Sequence, residues 1–188
     1  MVGRRTLALF VATSLLFGGT FVAAKAGLAY FPPLLFVALR FDVAALALVA
    51  FALLTMPRSD LIPRTRGDLL GIVATGAFAI GLANALLFVG QQYATSAVGA
   101  IVFSLNPILT PVFAAVLLAD ERLSTRGAVG MALGLVGVVL VVNPDPATVL
   151  DGGVAELLIF AGAASGAFGT VLVRRADATL SSTARTVW

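Results

Sequence analysis

Lys25, Arg40 and Asp42 are ionisable side chains set well inside the long apolar runs of this 188-residue chain. A cation at the middle of a membrane helix costs roughly 2.5–3.5 kcal/mol on insertion scales, so each calls for a purpose. Lys25 and Arg40 both admit two readings. Either the charged head snorkels along its apolar stem to the nearer interface, or it faces the interior of a helix bundle. Asp42 lies two residues from Arg40, which sends the two side chains to different sides of a helix. Its expected partner is Lys25, because an unpaired carboxylate at that depth would take up a proton. A cavity-facing Asp42 would instead carry a proton or bind a cation.

Uncharged polar groups fall inside other runs. Asn84 sits in the middle of one, and Gln91, Gln92 and Tyr93 crowd its end. Another reads Ser104-Leu105-Asn106-Pro107-Ile108-Leu109-Thr110-Pro111. A proline cannot donate to the carbonyl four residues back, so Pro107 and Pro111 free those of Phe103 and Pro107 and kink the helix. Lipid cannot solvate a freed carbonyl, so this side should face protein or a wet cavity, with Asn106 and Thr110 adding polar atoms at the same level. Thr20, after Gly18-Gly19, offers a further hydroxyl. Together Thr20, Lys25, Arg40, Asp42, Asn84, Gln91, Tyr93, Asn106 and Thr110 form a candidate solute pathway. The competing reading is interhelical hydrogen bonding and packing. Gly130 with Gly134, and Gly162 with Gly166, repeat at the spacing that lets helices approach closely, within the bundle or between two copies of the chain.

Other chemistry is excluded. The chain has no cysteine and no histidine, which removes disulfides, metal or haem sites built on those residues, and histidine acid–base catalysis. It also lacks clustered carboxylates, a GxSxG turn and a phosphate loop. An enzyme is not expected, nor a cofactor or metal.

The elements that would position these residues follow from composition. Hydrophobic residues make up 60% and charged residues 11%, with mean hydropathy +1.08, whereas soluble domains carry about a quarter charged residues. Lipid must be the solvent for most of the chain. A spanning helix needs about 20 mostly apolar residues, and six runs qualify: Leu7–Leu28, Leu34–Leu53, Leu69–Val89, Ala97–Leu118, Gly127–Val142 and Val154–Val173. They are too long and too uniformly apolar for the strands of a membrane barrel. The first is also too long for a cleaved signal sequence. The fold class is an all-α polytopic membrane protein. Polar, proline-bearing connections run from Met56 to Asp68 and from Asn143 to Gly153.

Net charge is +3, but the basic residues cluster between apolar runs without exposed aromatics, which argues against nucleic acid as a partner. With a cytoplasmic N-terminus, every cation outside the helices (Arg4, Arg5, Arg58, Arg64, Arg66, Arg122, Arg126, Arg174, Arg175 and Arg185) falls on the cytoplasmic side, as arginine retention requires. The expected location is the cell membrane, with lipid and a small solute as partners. An internal echo carries mechanism. Gly19-Thr20 precedes Lys25 in the first run, and Gly169-Thr170 precedes Arg175 in the sixth, 150 residues later. Five helices separate the two starts, and an odd number reverses insertion, so the sixth helix would open an inverted second copy. Residues 1–149 then form one five-helix unit and 150–188 the start of another. Two such 150-residue copies would total about 300 residues, with a seventh helix starting near Thr186.

In these motifs the chain resembles the EamA-type transporters of the drug/metabolite transporter superfamily. The matching stretches are Gly18-Gly19-Thr20-Phe21 to Lys25, Phe36 to Phe41, Asn84 to Tyr93 with Thr95-Ser96-Ala97, Asn106-Pro107 with Thr110-Pro111, Glu121-Arg122-Leu123 and glycine-rich Gly127 to Val141. The resemblance implies ten helices in two inverted five-helix repeats around a central cavity that opens alternately to each side. It also implies export of small organic metabolites or drugs. Phe17, where the family often has Trp, and Asp42, at a usually apolar position, depart from the pattern. The alternative is a non-transporting membrane component that needs a partner copy.

Overall fold

A computed structural model of the chain describes residues 3–118, 123–142 and 153–188. Among them every regular element is a helix. Five are long and apolar enough to cross a membrane: α1 (Arg4–Gly27), α2 (Pro33–Thr55), α3 (Arg66–Gln91), α4 (Ser96–Leu117) and α6 (Val154–Arg175). Between the last two, α5 (Thr125–Val142) is apolar but shorter. The short α7 (Ser182–Val187) follows α6. The expected all-helical membrane architecture holds. The Glu121-Arg122 pair and most of the Asn143–Gly153 connection lie outside the described residues.

Helix limits follow from local chemistry. Pro33 opens α2, where its missing N–H costs nothing. Thr65 and Asp68 form a reciprocal capping box that starts α3 at Arg66, three residues before the apolar run itself. Thr95 accepts from the Val98 N–H to start α4, and Ser181 does the same for α7 from Ala184. The short α7 therefore begins at Ser182, where the Ser181 cap sets its origin.

Two spans are irregular. In α3, residues Ala74–Leu82 wind as a π-helix. Gly81 permits this: a Cβ there would lie 2.6 Å from the carbonyl oxygen of Gly76, five residues back. In α4 the helix breaks at Ser104 and Leu105 and restarts at Asn106, with Pro107 in the new first turn and Pro111 inside. The expected proline kink is thus a true interruption, since Pro107 is tolerated where a first-turn N–H has no partner.

Helix α6 is the pillar of the bundle, packed against α3 and both halves of α4. Its small residues make this possible. A Cβ on Gly162 would lie 2.6 Å from the Ala83 oxygen, and one on Gly166 would collide with the Asn106 amide. Gly134 of α5 packs on Ile108, at 2.7 Å from an added Cβ, whereas Gly130 faces open space. Outside this contact, α1 and α2 expose most of their apolar side chains, as helices bathed in lipid or covered by further protein would.

Candidate functional site

Helix α3 organises the polar groups, and its two ends are held by opposite charges. At the end reached by α1, Lys25 Nζ donates to three main-chain oxygens, those of Gln91 at 2.8 Å, Gln92 at 2.9 Å and Ala94 at 2.8 Å. The carbonyls of Gln91 and Gln92 are among those a helix terminus leaves without partners, where the macrodipole also favours a cation, and that of Ala94 belongs to the turn that follows. Lys25 is therefore engaged by main-chain carbonyls and does not meet Asp42. The expected Lys25–Asp42 pair does not form, because all three donors of the ammonium are engaged by carbonyls. Asp42 is exposed on α2, with no hydrogen bond or ion pair among the described residues.

Beside Lys25, the fully buried Gln91 donates from Nε2 to the Phe21 oxygen at 2.8 Å, while its Oε1 has no partner. Tyr93 is 77% exposed. It lines a cavity of about 480 Å³ with Lys25, Leu28, Ala29, Phe31, Pro32 and Gln92.

Arg40 behaves differently. Its guanidinium lies 5.5 Å from the ring centre of Phe88 on α3 and 5.6 Å from that of Phe41. It makes no hydrogen bond or ion pair among the described residues, and it is half-buried. Phe88 is wholly buried. The arginine is therefore laid against the bundle rather than extended along α2 into lipid.

Deeper in the span, side chains repair the irregular backbone. Asn84 Nδ2 donates to Ile80 O at 2.8 Å and Ser165 of α6 donates to Phe78 O at 3.0 Å, both carbonyls of the π-wound segment. Asn106 Nδ2 reaches across to Ala163 O on α6 at 3.2 Å, and Thr110 Oγ1 donates back to Asn106 O at 2.8 Å. Thr20 bonds within its own helix, to Leu16 O at 3.1 Å. The structure thus gathers Lys25, Gln91 and Tyr93 at one end of α3, with Arg40 over Phe88 one turn below Gln91. Asn84 and Asn106 lie further in, and Thr20 and Asp42 stand apart.

Three further residues carry no conspicuous mark in the sequence pattern. Phe88 is one aromatic among many apolar neighbours, and nothing in spacing singles it out. Ser165 is hidden in a stretch of small residues, though a lone hydroxyl in mid-span is a usable signal. Asp68 has one too, the Thr65-to-Asp68 capping spacing. Its carboxylate is fully buried and accepts from the N–H groups of Arg64 and Thr65 at 3.0 Å, Thr179 at 2.7 Å and Leu180 at 2.9 Å. It ties the start of α3 to the segment between α6 and α7. Arg185 Nε to Thr75 Oγ1 at 3.1 Å and Trp188 Nε1 to Leu61 O at 2.6 Å reinforce that end.

Comparison with known proteins agrees with this architecture. The chain is 31% identical over 169 residues to the uncharacterized transporter YyaM of Bacillus subtilis, covering 86% of this chain and 53% of that protein. It is 29% identical over 174 residues to the uncharacterized inner membrane transporter YedA of Escherichia coli K12, covering 89% and 54%. With an uncharacterized transporter of Archaeoglobus fulgidus the identity is 28% over 142 residues, covering 76% and 48%. The chain therefore spans about half the length of these relatives. No solved structure matches it. Residues 4–143 match the EamA-like transporter family, and the chain belongs to that family.

Proposed function

We propose that this chain forms part of a secondary transporter that exports small organic solutes by alternating access, with residues 1–149 as one repeat and 150–188 opening an inverted second. The observation that carries the reading is the interruption of α4 at Ser104–Leu105, ahead of Asn106-Pro107. Backbone that departs from the helix at membrane depth is tolerated only where protein buries it or a wet cavity lines it. Broken helices near the midplane build the solute sites of many transporters. Here the interrupted α4 and the π-wound part of α3 both pack on α6, and Asn84, Asn106 and Ser165 donate to main-chain carbonyls there. Two spans that depend on side chains for backbone satisfaction can exchange those bonds as the bundle rocks.

The N-terminus is assigned to the cytoplasm of a cell-membrane protein, by the arginines at the ends of α2, α3 and α6. Reporter fusions near Arg64 should be active only inside the cell and fusions near Tyr93 only outside; the reverse pattern removes the assignment. For transport, everted vesicles from cells expressing the protein are screened against a solute panel by mass spectrometry. Gradient-dependent accumulation of at least one small organic solute is expected, reduced to a minor fraction by Asn106→Ala. Accumulation that matches empty-vector vesicles across the panel removes the transport reading. It would then favour a component that acts only with a second copy or another subunit.

A further inference from the structure

We propose that Arg40 is the binding group for an oxyanion, a carboxylate or phosphate, on the amphipathic solute; the inference deepens the transport reading and rests on it. Arg40 is the eighth residue of α2, roughly 10 Å along the helix from Pro33. A guanidinium at such a depth ordinarily has an anion or carbonyls to receive its N–H groups. Lys25, on the neighbouring helix, has three. Arg40 has two phenyl faces and nothing else among the described residues. The rings offer no hydrogen-bond acceptor, so the guanidinium N–H fork is unused among the described residues, and that fork matches an oxyanion in two-point fashion. Asp42, the nearest carboxylate in sequence, stands on a different side of α2 and is exposed.

The surroundings indicate the rest of the ligand. Phe31 lines the cavity of about 480 Å³ and stacks on Phe36 with centroids 6.0 Å apart. Phe36 lies 5.7 Å from Phe88, the ring beneath Arg40. An aromatic wall, open to the cavity at Phe31 and closed at the buried Phe88, thus connects the cavity with the cation. It suits a solute with an anionic head and an apolar or aromatic body, and it gives a small inorganic anion little to hold. The same chemistry occurs on a lipid headgroup, so the test separates the two sources.

The protein is placed in nanodiscs of phosphatidylcholine alone, and its thermal unfolding is followed with aromatic carboxylates, their uncharged amides, and inorganic phosphate. The carboxylates should stabilise the protein and the amides should not. Arg40→Gln should weaken the apparent affinity roughly ten- to hundredfold, the effect of losing a charge-assisted pair, and Arg40→Lys should restore part of it. Carboxylate and amide acting alike, or an Arg40→Gln response equal to wild type, overturns the proposal. So does stabilisation that appears only when phosphatidylglycerol is added to the discs, which makes the site a lipid site. In the vesicle assay, transport of neutral or cationic solutes unaffected by Arg40→Gln would sink the oxyanion assignment and leave the transport reading intact. Carboxylate binding without any transport would do the reverse.

Discussion

Lys25 and Arg40 are both cations within apolar helices at the same end of the bundle, yet their surroundings have little in common. Lys25 closes the end of α3 by donating to three main-chain oxygens. Arg40 rests on rings. The difference lies in geometry as much as in charge. A tetrahedral ammonium with three donors fits the splayed carbonyls of a helix terminus, where the dipole is negative. A planar guanidinium stacks on aromatic faces and keeps its edge for another planar group. One cation is consumed by the fold and the other is left for something else. A membrane charge is thus read by what its donors meet, not by its depth alone.

If charges engaged by backbone are structural, the largest effect belongs to Asp68, the anionic counterpart of Lys25 at the other end of α3. Asp68→Ala removes the acceptor for four N–H groups drawn from two separate segments. It should give the steepest fall in the folded fraction, measured by thermal or SDS-induced unfolding in detergent. Asp68→Asn should recover part of that loss, since its single amide oxygen serves one segment but not both. A melting curve for Asp68→Ala that overlays wild type would break the link between backbone engagement and stability. Lys25→Met comes next. It keeps an apolar side chain of similar length but strips the α3 terminus of its donor, for an expected loss of about 1.5–3 kcal/mol, the range for hydrogen bonds to a charged group. A change indistinguishable from zero would show that water or lipid headgroups serve those carbonyls equally well.

Much of the fold is legible in the order of the amino acids. Runs of about 20 apolar residues dictate helices because lipid leaves the backbone no alternative, and proline and capping residues place their ends. The close contact at Gly162 and Gly166 also follows from spacing, although Gly130, with the same spacing to Gly134, faces open space. Pairing between helices is less accessible. That Lys25 chooses carbonyls over Asp42 depends on where the end of α3 comes to rest beside α1, a tertiary fact with no local sequence signature. The π-winding of Ala74–Leu82 is hidden for a related reason. Gly76 and Gly81 permit it, but it is Ser165, 87 residues from Phe78, that satisfies one of its carbonyls. Among the candidate residues, polarity in mid-span picks out Asn84 and Asn106, whereas Phe88 is recognised only by the guanidinium that lies over it.

The small end of the scale tests the comparison most sharply. Gln91→Leu removes one hydrogen bond, to Phe21 O, together with an unpartnered Oε1. Because a deleted bond and a relieved unsatisfied acceptor oppose each other, the net change should stay within about 1 kcal/mol. Arg40→Met should change stability least of all. It loses a cation–π contact worth about 0.5–1 kcal/mol and is relieved of part of the cost of holding a cation within a span, so the two effects largely cancel. Unfolding of Arg40→Met beside Lys25→Met, in the same detergent and at the same salt, is the measurement. If Arg40→Met falls as far as Lys25→Met, the guanidinium has an anionic partner within the folded protein, the two cations are alike after all, and Arg40 has nothing left to offer a solute.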